Sequence, residues 1–339
     1  MDRRNFIRLS SLGTLITGSG IAASCVYKNA NSEGENFADI AVIGGTPAGI
    51  MAAIAAARMG SKVILTEYHS HLGGMTTSGL GKSDIENKEA IAGLFKEFTE
   101  KVLQYYTGKY GENSKEVLLC KEGYYYEPSV AELVFNQMIA EEKNIKVLFN
   151  YQIEEAEMKS EKISRLRFKD RSSGDTRFLK AEVFVDATYE THAGHIFFDF
   201  NEKAFLEGGS GEEDSRLPAY TYRLCMTDDP ANSYVLTEPP HGYDRNNYVE
   251  YFNDLKEGRL SAPKVFKEGH GYYSDHFDTM VRVFSFTEIP NRKYDVNINP
   301  RPLGFPFVGE NYAYPETDWA ARERIFKRHR ELTLGLIYF

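Results

Sequence analysis

A chain of 339 residues suggests two domains, or one large α/β unit carrying an insertion. Its 42% hydrophobic and 26% charged residues are ordinary for a globular protein, and a formal net charge of -9 offers no basic field to attract phosphate backbones, which argues against a nucleic-acid binder. Cys25, Cys120 and Cys225 form neither a CxxC nor a metal-ligand spacing, and the histidines show no HExxH pattern, so no structural metal is expected. A Cys120–Cys225 disulfide would require the fold to bring two distant segments together.

Met1–Ser24 reads as an export leader rather than as part of the fold. Its apolar run, Leu15–Ala23, is short and broken by Thr, Gly and Ser, unlike a membrane span. Arg3-Arg4 followed by Asn5, Phe6 and Ile7 resembles a twin-arginine signal, a route for folded proteins that suits a chain loading a cofactor before export. Ala22-Ala23-Ser24-Cys25 also resembles a lipoprotein cleavage box, with Ala22 where a leucine is usual. Lipidation of Cys25 and simple cleavage after the small residues both remain open, and either places the mature chain in the periplasm or cell envelope. Residues 25–37 form a polar tether.

The chain is organised around residues 39–75. Asp39–Ile43 is an apolar strand, Gly44, Gly45 and Gly49 surround a tight turn, and Ile50–Arg58 is an alanine-rich helix. Lys62–Thr66 is a β-branched strand with Glu67 at its end. This order is that of a dinucleotide-binding βαβ unit. Backbone N–H groups at the helix start would hold a pyrophosphate, aided by the positive end of the helix, and Glu67 would accept hydrogen bonds from a ribose. Thr46 stands where the second glycine of G-x-G-x-x-G belongs, with Pro47 and Ala48 before Gly49 in the third place. The competing reading is a purely structural glycine turn.

Tyr68–Gly81 is too glycine-rich for a helix and leaves the carboxyl end of a strand, where ligands of α/β sheets sit, so a cofactor-facing loop is expected there rather than a flexible connection. Asp84–Tyr106 should be helical, with Ile91, Leu94, Phe95, Phe98 and Val102 on its apolar face. After an irregular stretch, Ser129 can cap a helix from Val130 to Glu142, with Glu132 in capping-box position. Strands follow at Ile145–Phe149, Ile163–Lys169, Thr176–Leu179 and Ala181–Ala187. Residues 199–216 read as an exposed loop. Tyr220–Met226 and Val281–Thr287 read as strands, Asn246–Gly258 as a helix and Pro290–Pro315 as ordered loop. Thr317 to the end is a strong helix, capped by Thr317 or Asp318, with Trp319, Ile325, Leu332 and Leu336 on its buried face. The chain stops at Phe339 inside an apolar run that needs burial, which suggests a shortened version of a longer protein.

Several of these segments together resemble the FAD-dependent oxidoreductase family common in bacterial polysaccharide-use gene sets, some of whose members carry a xanthan lyase label. They are GGTPAG at Gly44–Gly49, the helix through Arg58-Met59-Gly60, His71-Leu72-Gly73-Gly74-Met75, VDATYE at Val185–Glu190, YRLCMT at Tyr222–Thr227, KYDVN at Lys293–Asn297, and the stretch Gly309–Phe339. The resemblance covers about residues 38–339. It implies an α/β, FAD-binding Rossmann-type domain over residues 38–200, an inserted α+β substrate region over 201–310, and the start of a returning part over 311–339.

By the same resemblance the cofactor is FAD. Gly44, Gly45, Thr46, Pro47, Ala48 and Gly49 would line its pyrophosphate, and Glu67 its ribose. Leu72, Gly73, Gly74, Met75 and Thr76 would run past the flavin, and Tyr151–Ile153 would reach the adenine. Ala187 and Thr188, in the Asp186–Thr188 turn, would pack against the pyrophosphate. The family's continuation after VDATYE is replaced here by Thr191-His192-Ala193-Gly194-His195. The implied reaction removes a hydride from a carbon bearing a hydroxyl or amine, with an external acceptor reoxidising the flavin, and it needs a base. His71 is the first candidate, His192 and His195 are alternatives, and Arg223 could orient substrate, although for each histidine a structural or exposed role is an equal reading. A sugar or uronate substrate rests on the resemblance alone. No second glycine fingerprint for NAD(P)H is visible. A carbohydrate lyase and a non-catalytic envelope protein are the rival readings, and the implied partners are a small substrate, an electron acceptor and either a missing carboxyl-terminal half or a second copy.

Overall fold

The computed structural model describes residues 36–85, 87–189, 198–199, 204–205, 222–249, 284–298 and 309–339. The leader, most of the tether, His192, His195, most of the loop expected at 199–216 and most of the helix expected at Asn246–Gly258 lie outside them.

A six-stranded sheet in the order β3-β2-β1-β6-β5-β4 forms the frame. Its strands are β1 (Asn36–Ile43), β2 (Val63–Glu67), β3 (Ile145–Phe149), β4 (Tyr151–Lys159), β5 (Lys162–Asp170) and β6 (Thr176–Asp186). β3, β2, β1 and β6 run parallel, whereas β4, β5 and β6 form an antiparallel meander. Helices α1 (Pro47–Arg58), α2 (Gly74–Thr77), α3 (Gly93–Tyr110), α4 (Lys115–Leu119) and α5 (Pro128–Ala140) follow in chain order, and α6 (Trp319–Tyr338) closes the chain.

Every residue of β2 is buried, because both sheet faces are covered. On one face Val42, Val63 and Leu65 pack with Ile50, Ile54, Phe98, Val134, Phe135 and Met138 of the helices. On the other, Ala41, Ile43, Ile64 and Leu148 meet Leu166, Phe168 and Leu179 of the meander. Each of these side chains larger than alanine contributes about 1.5–3 kcal/mol on leaving water, so this doubly covered sheet holds the site at its strand ends rigid. The architecture is a mixed α/β Rossmann-type fold.

Several expected elements change. Thr176–Leu179 and Ala181–Ala187 are one strand, β6, whose first residues pair with β5 and whose remainder pairs with β1. Leu179 faces both Leu166 and Asn36, so the meander flows into the parallel sheet without a break. β4 was not expected as a strand at all. α3 begins at Gly93 rather than Asp84, because Lys82 bridges Tyr125, Ser83 donates to Tyr124 O at 3.0 Å, and Asn87 turns its side chain onto the Glu89 N–H at 3.2 Å. Ser129 lies inside α5. Glu127 occupies the cap position and Pro128 the first helical one, where its missing N–H costs nothing. The expected loop Tyr68–Gly81 contains α2, and residues 107–128 contain α4.

A second sheet, ordered β10-β11-β9, consists of β9 (Leu224–Thr227), β10 (Phe284–Ile289) and β11 (Lys293–Ile298). β11 falls inside the loop expected at Pro290–Pro315. Asn291 and Arg292, both at positive φ, make the turn that folds it back on β10. Short strands β7 (Phe198–Asp199) and β8 (Ala204–Phe205) pair antiparallel. Asp318 caps α6 by accepting the Ala321 N–H at 2.8 Å. The buried face of α6 carries His329, Leu332, Thr333, Gly335 and Leu336, while Trp319 and Ile325 are half-buried. Leu336 packs with Tyr248, Phe284 and Val296 against the second sheet, and the Phe339 ring lies 5.8 Å from that of Tyr248. The terminal apolar run therefore finds part of its burial within the chain. Cys120 and Cys225 are free thiols.

Burial holds the His329 imidazole below its ordinary value of 6.5, because desolvation disfavours the charged form. The unfolded chain then binds the proton more readily, so the stability from neutral burial is complete above that value and falls as pH drops below it. Thermal unfolding scans from about pH 7 to about pH 5 should show a falling midpoint, with a shallower slope in His329→Asn. Equal slopes in the two proteins would remove His329 as the cause.

Candidate functional site

The site is built where β1 and β6 end together. Gly44 N–H donates to Thr66 O at 2.9 Å and Ala187 N–H to Ile43 O at 2.8 Å, which joins three strand ends. Gly44 sits at φ +102°, and a Cβ there would lie 2.7 Å from the Ala187 carbonyl oxygen, so glycine is required on both counts. A Cβ on Gly49 would run into the Gly44 carbonyl oxygen, and this close approach lets α1 start directly on the strand end.

Thr46 takes the place of the second fingerprint glycine by working as a cap. Its hydroxyl accepts the Gly49 N–H at 3.2 Å and donates to Ala187 O at 2.7 Å, tying the turn to the end of β6. The side chain is thus turned inward and buried. Among the described residues, no protein acceptor takes the N–H groups of Thr46 or exposed Ala48, and Pro47 has none to offer. Two backbone donors at the positive end of a 12-residue helix are the chemistry a diphosphate requires. Thr46→Val should cost about 1 kcal/mol of stability through the lost cap, whereas Thr46→Ser should cost a fraction of that. Denaturant titration of the two variants checks the ordering, and equal losses would deny the hydroxyl its role.

Glu67, at the end of β2, is 7% exposed. One carboxylate oxygen accepts the Gly45 N–H at 2.7 Å and the other the His69 N–H at 2.7 Å. Each oxygen keeps a second lone pair, so a vicinal diol could bind without displacing either contact. The residues present therefore fit the adenosine diphosphate half of a dinucleotide: donors at the helix start, and a fixed acid one strand away.

The segment Leu72–Thr76, expected to face the flavin, lies next to this turn. Gly73 N–H donates to Gly45 O at 2.7 Å, and Leu72, 1% exposed, closes over Gly45. Gly73 and Gly74 both have positive φ, which starts the short α2 carrying exposed Met75 and half-buried Thr76. Tyr189, two residues past Ala187, reaches over Gly74, and its hydroxyl accepts the Met75 N–H at 3.3 Å. Tyr189 was not singled out by sequence; its place at the end of VDATYE was the available signal.

His71 precedes Leu72, and its Nε2 lies 2.9 Å from Ser78 Oγ across α2. Arg223 is engaged elsewhere: its guanidinium makes a bidentate pair with Asp295 at 2.9 and 2.7 Å, and Asp295 also accepts the Gly81 N–H at 3.0 Å. Ile153 is half-buried in β4, and its carbonyl accepts the Trp319 indole N–H at 3.0 Å. Thr188 turns back on Asp186, donating to it from both N–H and hydroxyl. His192 and His195 lie outside the described residues.

Two buried carboxylates not expected from the sequence join the second sheet to the loop after α2 and to the start of α5. Asp295 connects Arg223 of the second-sheet region with the loop after α2. Glu127, at the start of α5, accepts from Lys293 at 2.5 Å, from Asn291 at 2.5 Å and from the Tyr106 hydroxyl at 3.2 Å. No local pattern marks either acid, since each acquires its partners from far along the chain.

The family model described as FAD dependent oxidoreductase matches residues 39–339. No curated protein sequence matches the chain. Solved structures that resemble it include the 3-ketosteroid-delta4-(5alpha)-dehydrogenase of Rhodococcus jostii, at 12% identity, covering 48% of this chain and 47% of that one with a TM-score of 0.31. A myxobacterial chondrochloren halogenase shares 17% identity over 49% of this chain and 41% of its own, at a TM-score of 0.35. The glycerol-3-phosphate dehydrogenase of Bacillus halodurans, complexed with FAD, shares 19% over 45% and 34%, at 0.31. The match spans less than half the length of each of these structures.

Proposed function

Because the chain belongs to the FAD dependent oxidoreductase family, with FAD as its cofactor, we propose that it oxidises a small hydroxylated substrate, a sugar or uronate, and passes the electrons to an external acceptor. This reading is supported by the Thr46 and Ala48 N–H groups, which meet no acceptor among the described residues, and by the Glu67 carboxylate, each of whose oxygens accepts one backbone N–H. Gly44, Gly45 and Gly49 at the start of α1, with Ala187 and Thr188, would hold the diphosphate. Glu67 would take the ribose, and Leu72–Thr76 would line the isoalloxazine. FAD supplies the hydride acceptor when bound.

The chain's own residues must supply the base and the orientation. His71 is the base candidate supported by position, next to the flavin-side residues. If Nε2–H donates to Ser78, Nδ1 is left to take the substrate hydroxyl proton. His192 and His195 remain alternatives. Arg223 serves orientation indirectly, through Asp295 and the loop at Gly81, since both its carboxylate-facing nitrogens are already committed. The sugar or uronate class rests on resemblance to a family found with polysaccharide-using genes. The twin-arginine-like leader supports export to the periplasm or envelope, with lipidation of Cys25 and simple cleavage before it as the two alternatives.

The test is an absorption spectrum of the purified chain, followed by a scan of sugars and uronates with an artificial electron acceptor. Retained flavin that bleaches on anaerobic addition of substrate is the expected result. Turnover that needs no acceptor would replace this reading with a lyase, and a colourless chain that takes up no FAD would remove it.

A further inference from the structure

Glu67 lies at the end of a rigid strand, but the residues that follow it, Tyr68-His69-Ser70-His71, belong to no helix or strand. A turn of this kind would ordinarily open easily, and with it the acid placed at the ribose. Here it is pinned from two distant parts of the chain, α6 and the turn after β5. The Tyr68 ring stacks on that of Trp319, the first residue of α6, with centroids 4.5 Å apart and planes at 11°. The Arg171 guanidinium carbon lies 3.9 Å from the Tyr68 ring centroid, and Arg171 also donates to the Tyr68 carbonyl at 3.1 Å. Glu323, one helical turn along α6, accepts from the Tyr68 hydroxyl at 2.7 Å and from Arg171 at 2.9 Å.

The same tryptophan reaches a second part of the cofactor's expected path. Its indole N–H donates to the Ile153 carbonyl, in the segment assigned above to the adenine. One side chain from residue 319 thus braces both the residue after the ribose acid and the strand beside it. The His69 N–H, which completes the Glu67 carboxylate's contacts, belongs to the same braced turn, and the His69 carbonyl is taken by Asn150 just before β4.

We propose that Trp319 is a positioning residue for the adenosine half of FAD, acting through Tyr68 and the 67–69 turn on the Glu67 carboxylate. The proposal rests on the cofactor placement proposed above. It assigns to the distal helix α6 a part in cofactor affinity that its distance in sequence conceals. It also makes the chain's single tryptophan a reporter of adenosine binding.

The experiment uses the full chain freed of flavin and titrates it with ADP, which lacks the flavin's absorption, and separately with FMN. ADP should change Trp319 fluorescence saturably, and FMN should not. Trp319→Leu should weaken ADP binding, measured by calorimetry, about tenfold, whereas Trp319→Phe, which keeps a stacking ring, should lie within about threefold of the parent. Since the effect runs through the acid, Trp319→Leu should add less than about twofold in a Glu67→Gln background. A role confined to holding α6 would lower thermal stability equally in both backgrounds and leave ADP affinity unmoved. Retained flavin with an ADP affinity indifferent to Trp319→Leu and Trp319→Phe overturns the positioning role alone. A parent chain that holds neither FAD nor ADP overturns the cofactor placement and this inference together.

Discussion

Gly49→Ala is expected to weaken FAD binding by ten- to a hundredfold, the change corresponding to roughly 1–3 kcal/mol of overpacking. The added Cβ would collide with the Gly44 carbonyl oxygen and stand 3.1 Å from the Ala187 Cβ. Neither neighbour can give way cheaply. Gly44 is held by its hydrogen bond to Thr66, and Ala187 by its bonds to Ile43 and Thr46. The only relief is for the first turn of α1 to lift from the strand end, which moves the Ala48 N–H and uncouples the Thr46 cap. Flavin absorbance per mole of purified protein, and titration of the flavin-free chain with FAD, measure the loss. A variant that retains stoichiometric flavin would show that the diphosphate does not sit at this helix start. Gly60→Ala is the control, because nothing lies within 4 Å of a Cβ there; its positive φ affects stability but not the cradle.

Arg223→Met should destabilise the fold by about 3 kcal/mol. Asp295 is 2% exposed and, among the described residues, would keep the Gly81 N–H alone as a partner, so a buried carboxylate would lose its counter-charge. The low end of the range for broken buried pairs applies because the Arg223 side chain is itself 13% exposed, and water can reach part of the vacated space. The double variant Arg223→Met with Asp295→Leu should recover most of the loss, since the cost lies in the unpaired charge more than in the missing attraction. Urea unfolding of the parent, the single and the double variants tests this. A double variant no better than the single would mean that the Gly81–Asp295 bond, rather than the ion pair, holds the second sheet in place. In function the same change should loosen the loop after α2. A KM that rises more than kcat falls is the expected kinetic signature once a substrate is in hand.

The two effects differ in how far they could be read in advance. Gly44, Gly45, Gly49 and Glu67 announce their places in the βαβ unit within one contiguous stretch, where an apolar run, a glycine turn, a small-residue helix and a second run follow at fixed spacing. Periodicity and turn chemistry are local properties, and here they agree with the tertiary outcome. The same holds for β3 and α6, whose bounds were anticipated closely. Thr46 was recognised as a departure from the fingerprint, yet its solution was not visible: the acceptor that makes a threonine tolerable is the carbonyl of Ala187, which β6 delivers from far along the chain.

The misread segments share one cause. β6 was divided because its two halves have different partners, and strand pairing is non-local. β11 was hidden by its Asn- and Pro-rich surroundings, although Tyr294, Val296 and Ile298 alternate along it. α3 was started too early because apolar spacing cannot report that Lys82 and Ser83 would be drawn into pairing beside Tyr124 and Tyr125.

The sequence alone therefore determined the βαβ unit with its glycine turn, the acid at the end of β2 and the helix α6, since each depends on residues within a few turns of one another. Only the tertiary structure decided what supports that turn. The Thr46–Ala187 tie, the Arg223–Asp295–Gly81 and Glu127–Lys293 links, and the Trp319–Tyr68–Arg171 stack each bring together residues tens to hundreds of positions apart. Their physical basis is the burial and complementarity of groups whose partners no local pattern specifies.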